Sequence, residues 1–114
     1  MTRKAAVKAA DTAFSLFIRA RDPRCVLCGK PTTDCAHLFR RAHYSTRWDA
    51  MNAYGLCRGC HHFFHVQSEA MLLDYARKML WAEEYEKLRD KWRSLSKWTT
   101  AQIEEIARYY RGKV

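Results

Sequence analysis

Apolar positions keep a helical rhythm at both ends of this chain and lose it in the middle. Val7, Ala10, Phe14, Phe17 and Ile18 fall on one stripe with Arg and Lys outside it, which predicts an amphipathic helix over 3–21 ended by Asp22-Pro23. At the other end Ile103, Ile106, Ala107 and Tyr110 repeat at the same spacing behind Thr99 and Gln102, a capping-box pair that marks the start of a last helix. Residues 69–93 also read as helix, but the stripe changes face. Leu72, Ala76 and Met79 share one line, and Trp81, Tyr85, Leu88 and Trp92 share another, so one helix bends near Ala82-Glu83 or two meet there. Aromatic residues at such spacing usually build core, and Trp81, Trp92, Trp98, Tyr109 and Tyr110 are assigned to packing.

The middle of the chain is read from its punctuation. Cys25-Val-Leu-Cys28-Gly29-Lys30-Pro31 has the form of a tight knuckle, and Thr32 to Phe39 can follow it as a short strand. Residues 40–51 show neither a period of two nor an apolar stripe and are assigned to a loop. Residues 52–56 suit a second strand that returns to the first, and a helix begins at Arg58 with Phe63, Phe64 and Val66 facing inward. The expected class is therefore α+β, mostly helical, in a single domain over 1–114. Its parts are an N-terminal helix (3–21), a metal-bound core (25–66) and a C-terminal helical part (69–111). No internal repeat or low-complexity segment interrupts it.

Charge changes the picture by pointing to a partner. Lys and Arg number 21 against 12 Asp and Glu, and the excess is uneven: residues 1–68 hold 11 basic and 4 acidic side chains, residues 69–114 hold 10 and 8. The positive charge lies with the knuckles, and a polyanion, most commonly nucleic acid, is its natural partner. Lys8 and Asp11 break the N-terminal stretch before a secretion signal can form, and no later run approaches a membrane span. Five cysteines without an export signal imply a reducing cytosol, where Cys-x-x-C pairs serve as metal ligands more often than as disulfides. Cys35, the unpaired fifth, reads as a small buried thiol.

Cys25/Cys28 and Cys57/Cys60 can each supply one edge of a tetrahedral site, so together they are expected to hold a structural Zn2+, with 28 residues folded between the pairs. The other reading is two independent thiol pairs. Behind Cys60, His61 and His65 stand four apart on one helical face and can grip a second cation, or fill a small core beside Phe63 and Phe64. His37, on the first strand, can face that helix as a neutral imidazole able to take a proton from water. Asn52 can orient the loop or the ring through its amide, or serve as a plain turn residue. Arg40, Arg41, Arg47 and Arg58, interleaved with Tyr44 and Trp48, form a rim suited to DNA phosphates, with Trp48 itself in the core.

With these residues assembled, the segment resembles the HNH nucleases, whose core is a ββα-metal unit. The run Asp34-x-x-His37-x-Phe39-Arg40, then Arg47-Trp48-Asp49-x-x-Asn52-x-x-Gly55-x-Cys57-x-x-Cys60-His61, is similar to the lambda NinG (Rap) type of phage recombination nuclease, which acts on branched DNA. The likeness covers about 40 residues and implies His37, Asn52 and His61 as the signature positions, with a zinc clamp beside them. Many HNH proteins carry Asp or His as a metal ligand just before the forward histidine; here Ala36 stands there, and Asp34, His43 or His65 are the substitutes at hand. The resemblance implies a DNA endonuclease in a bacterial host cytoplasm, with His37 as base, one catalytic Mg2+ or Mn2+ on His61 and His65, and products bearing 5′ phosphates. Junction-resolving enzymes usually act as dimers, so a homodimer is a further expectation. Two other readings stand beside it: a non-catalytic zinc-stapled DNA-binding accessory protein, and an RNA-directed or toxin-like nuclease of the same fold.

Overall fold

The computed structural model describes residues 1–67 and 82–114, with the side chains of 64–67 and 82 left outside the description. The stripe predicted over Leu72, Ala76 and Met79, and Trp81 on the second stripe, lie outside the described residues, as do the side chains of Phe64, His65 and Val66.

Helix α1 (Arg3–Arg21) opens on Thr2, whose hydroxyl accepts from the Ala5 amide at 3.1 Å, and ends with Arg19 and Arg21 in its last turn, where cations meet the negative end of the helix dipole. Asp22 leaves helical geometry and its amide closes the last turn on the Ile18 carbonyl. The buried stripe is Ala6, Ala10, Ala13, Phe14 and Ile18. Three alanines along it let neighbouring backbone come close to the helix.

Strands β1 (Asp34–His37) and β2 (Ala53–Leu56) form a two-stranded antiparallel sheet, in register from Asp34↔Leu56 to His37↔Ala53. Between them runs the loop assigned from the sequence, closed by a short 3-10 turn over Ala50–Asn52. Helix α2 (Arg58–Gln67) follows β2 after one residue. The sheet is covered on both faces. Ala36 and Leu56 pack with Cys25, whereas Cys35 packs with the cluster built on α1. Gly55 marks the closest approach of β2 to the end of α1, since a Cβ there would lie 2.7 Å from the Asp22 Cβ and 2.8 Å from the Asp22 carbonyl oxygen.

Helix α3 (Ala82–Arg93) sets Tyr85 and Leu88 against Leu38 and Phe39, and Trp92 stacks on Phe39 with centroids 4.6 Å apart. Helix α4 (Thr100–Arg111) starts at the expected capping box, with the Gln102 amide donating to Thr99 and the Thr99 amide donating back to Gln102. It packs along α1 in the most extensive contact between elements among the described residues, through Ile103, Ala107 and Tyr110. Phe14 and Ile103 are fully buried there; truncating either to Ala would cost about 2–5 kcal/mol.

Two packing expectations are corrected. Phe63 is 48% exposed, so it does not face inward from α2, and Tyr109 is 59% exposed on α4, with its neighbour Tyr110 taking the core position instead. Among the described residues, no helix is long and apolar enough to cross a membrane.

Candidate metal centre and adjoining histidines

The first knuckle is held by its own backbone. The Cys25 amide donates to the Lys30 carbonyl at 2.7 Å and the Gly29 amide to the Cys25 carbonyl at 2.9 Å, with Gly29 at a φ of 79° that suits a residue without a Cβ. The Val26 amide donates to the Gly55 carbonyl, so the knuckle is moored to β2. The second knuckle straddles the start of α2, where the His61 amide donates to the Cys57 carbonyl and the Cys60 amide to the Cys57 sulfur at 3.5 Å.

These two turns bring the ligand sulfurs of Cys25, Cys28, Cys57 and Cys60 within 4.8 Å of one another, and Cys28 Sγ lies 3.6 Å from Cys57 Sγ. Tetrahedral zinc with Zn–S bonds of about 2.3 Å holds its sulfurs about 3.8 Å apart, so the cluster is sized for that ion. Burial opposes ionisation of Cys25, but amides of Cys57, Cys28 and Leu27 outweigh it and bring the thiol down to about 6. The Cys57 thiol is lowered mainly by the Cys60 amide; Cys60, crowded by burial and by the other three thiols, is pushed up to about 12. Four thiolates this close repel one another, and a divalent cation is what allows all four to be ionised together. The four cysteines thus form a site consistent with structural zinc. Cys35 stays apart from it, its thiol pushed up to about 12 by burial.

His61 lies at the rim of this cluster. Its Nδ1 is 2.9 Å from Oδ2 of Asp34, and Arg58 approaches the other carboxylate oxygen at 3.7 Å. Burial works against the Asp34 carboxylate, yet the bond to His61, a bond from Thr33 and the charge of Arg58 hold it below the usual carboxylate range. The carboxylate accepts, so Nδ1 carries the proton and Nε2 is the lone-pair nitrogen of the neutral ring. Strand pairing explains the contact. Asp34 is opposite Leu56, the residue before Cys57, so β1 delivers its first side chain to the beginning of α2.

His37 departs from expectation. It stands at the other end of β1 and on the other face, tilted against Phe14 of α1 with ring centroids 5.5 Å apart, and does not face His61. Three residues of strand separate it from Asp34, roughly 10 Å. Its Nε2 donates to the Arg47 carbonyl at 2.9 Å, which leaves Nδ1 as the acceptor, and burial brings its pKa down to about 4. The ring is therefore neutral throughout the physiological range.

Asn52 is fully buried. Its Oδ1 accepts from the Phe39 amide at 2.8 Å and its Nδ2 donates to the carbonyls of Phe39 and Thr46, each at 3.0 Å. Of the two readings open in the sequence, the loop-orienting one describes what this amide does.

The arginines divide. Arg40, Arg41 and Arg58 are exposed, Arg58 with 84% of its side chain open to solvent. Arg47 is not a rim residue: only 13% of its side chain is exposed, and it makes a two-pronged contact with Asp11 at 2.9 and 2.6 Å while donating to the Arg41 carbonyl. Asp11 also receives the Trp48 indole N–H at 3.0 Å. In the sequence Asp11 carries no site signal beyond being a carboxylate near the inward stripe of α1.

No family model, curated protein or solved structure matches this chain. Among the described residues, the four cysteines are the one group of three or more His, Cys, Asp or Glu side chains that converges. For the cation expected on His61 and His65, no converging ligand group stands among the described residues: His61 bonds Asp34 through Nδ1, and the His65 side chain lies outside the described residues.

Proposed function

We propose that this chain is a metal-dependent DNA endonuclease of the phage recombination type, with a zinc-stapled ββα-metal core, hydrolysing phosphodiester bonds in branched DNA. The observation that carries the reading is the Asp34–His61 pair at the rim of the four-cysteine cluster. A carboxylate that fixes the Nδ1–H of a histidine orients its Nε2 for a metal ion, and this pair sits where a hairpin runs into a helix. A divalent cation held there, Mg2+ or Mn2+, would supply charge stabilisation to the scissile phosphate and the departing 3′ oxygen. Exposed Arg58 at the start of α2 and exposed Arg40 and Arg41 on the loop are the candidate phosphate contacts, and Asn52 fixes that loop through the Phe39 and Thr46 carbonyls. His37, the base that the resemblance implies, is held by the Arg47 carbonyl with Nδ1 left as the acceptor, but it stands on the other face of β1 from His61.

One observation favours a second reading, a non-catalytic zinc-stapled DNA-binding module: His37 and His61 lie on opposite faces of β1. Purified zinc-loaded protein, incubated with supercoiled plasmid and Mg2+ or Mn2+, separates the two. The nuclease reading requires nicking that falls at least 10-fold in His61→Ala and Asp34→Ala with zinc content unchanged. Gel-shift binding without nicking in any metal would establish the binding module instead. His37→Ala addresses the base: full activity in that variant removes the role. A parallel arm with structured RNA decides between DNA and RNA as substrate.

A further inference from the structure

The loop that fixes His37 has a second side. There Tyr44, Trp48, Trp98, Tyr109 and Tyr110 line an open cleft of about 380 Å³, bordered by Lys91 of α3. Its aromatic rings are anchored by their polar edges. The Trp98 indole donates to the Tyr44 carbonyl at 3.0 Å, the Trp48 indole donates to Asp11, and the Tyr110 hydroxyl donates to the Trp48 carbonyl. Edges tied in this way hold the rings in place before anything binds, and with Trp48 and Tyr110 themselves buried, the ring surface open to a ligand is that of half-buried Tyr44 and Trp98 and exposed Tyr109. Polar groups on the wall, the Asp49 and Glu105 carboxylates and the Gln102 amide, whose oxygen accepts from the Thr99 amide, add hydrogen-bonding capacity. Cations sit around it: Lys91 pairs with Asp49 at 2.7 Å, the Arg3 guanidinium lies 5.9 Å from the Tyr44 ring and the Lys113 ammonium 5.2 Å from the Tyr109 ring.

We propose that this cleft is a base-stacking site that takes one unpaired nucleobase, with its flanking phosphate beside Lys113 at the Tyr109 end. A flat heterocycle fits aromatic walls, its exocyclic groups fit an amide and a carboxylate, and its phosphate fits the Lys113 ammonium. The proposal rests on nucleic acid as the partner and specifies it: the chain would prefer DNA with an unstacked base, as at a fork, flap or strand end, over blunt duplex. The cleft is built from the 44–49 part of the loop whose Arg47 carbonyl holds His37 and whose Thr46 carbonyl holds Asn52, so a bound base presses on the same segment.

Two measurements on the full chain test it. The first titrates zinc-loaded protein with dAMP and dGMP while following tryptophan emission, with deoxyribose 5-phosphate and tetramethylammonium as controls. Saturable quenching by the nucleotides alone supports the site. Quenching by neither nucleotide, or a response to tetramethylammonium that exceeds theirs, overturns it. The second compares affinity for a forked DNA carrying an unpaired adenine with the same fork carrying an abasic residue. Wild type should prefer the adenine by about 10-fold, Tyr109→Ala should remove that preference and Tyr109→Phe should keep it, since stacking on one ring is worth about 1–3 kcal/mol. Tyr109 is exposed, so its removal leaves the core intact. Equal binding of both forks by wild type would sink the cleft while plasmid nicking still stands; mononucleotide binding without plasmid nicking would sink the nuclease reading and leave the cleft.

Discussion

Arg47 and Asp11 meet across 36 residues of chain, the guanidinium donating through Nε and Nη2 to both carboxylate oxygens at 2.9 and 2.6 Å. Both side chains are mostly out of solvent, and the Trp48 indole shares one of the oxygens. The contact fastens the loop after β1 to the middle of α1, and the loop carries the carbonyl that holds His37.

Removing Asp11 strands two donors at once. Asp11→Ala is expected to lower stability by about 2 kcal/mol, because a largely buried guanidinium and an indole N–H lose their acceptor, and Arg47→Lys should also be destabilising since an ammonium cannot make the two-pronged contact. Urea midpoints of the two variants against wild type measure this. The Asp11 carboxyl is lowered below its ordinary value, despite burial, by Arg47 and Trp48, so its contribution is present at neutral pH and is lost as pH falls through the folded pKa.

Asn52→Ala should be more damaging than its size suggests. It deletes three hydrogen bonds and leaves the Phe39 amide and two carbonyls buried without that partner, a loss of about 3 kcal/mol or more. Asn52→Asp should fare little better, because a carboxylate cannot donate to the Phe39 and Thr46 carbonyls. Thermal melts and amide exchange across residues 39–52 check both, with faster exchange expected in that loop.

His37 predicts a specific acid sensitivity. Its pKa falls from 6.5 to about 4 on folding, because burial disfavours the charged ring. Between those values the unfolded chain binds a proton that the folded chain does not, so stability is lost as pH drops from about 6.5 toward 4, at up to about 1.4 kcal/mol per pH unit. His37→Gln retains a donor for the Arg47 carbonyl and removes the titration. The difference between the two stability–pH curves should be flat above pH 7 and slope in that window; parallel curves would contradict it.

The metal centre predicts a stoichiometry. Elemental analysis should find one zinc per chain in wild type and in Cys35→Ser, and loss of zinc in Cys57→Ser. Stripping the metal with a strong chelator should unravel the knuckles and the hairpin they hold, seen as lost near-ultraviolet circular dichroism and faster exchange at residues 25–37 and 53–60.

How much of this was legible from residues alone depends on which rule governs each part. Helix α1 and the cap of α4 follow from local spacing and one side-chain exchange at Thr99, and both are where the pattern puts them. The four sulfurs also follow, because two Cys-x-x-C turns have little other use in one short basic chain. The facing of β1 did not. Asp34-Cys35-Ala36-His37 has no apolar–polar alternation to say which side is inward, and the sheet is covered on both sides, so the pattern holds no sign of which neighbour each residue meets. Arg47 was misplaced on the rim for a similar reason: its acceptor is on α1, and only the folded chain brings Asp11 to it.

The packing of α1 against α4 joins two segments about a hundred residues apart and places Phe14 beneath His37. A fragment spanning only Cys25 to Gln67 would keep every sulfur yet lack that floor, the anchor at Asp11 and one wall of the cleft. Metal retention by such a piece would therefore say nothing about whether it works. Any minimal version of this protein has to carry both outer helices.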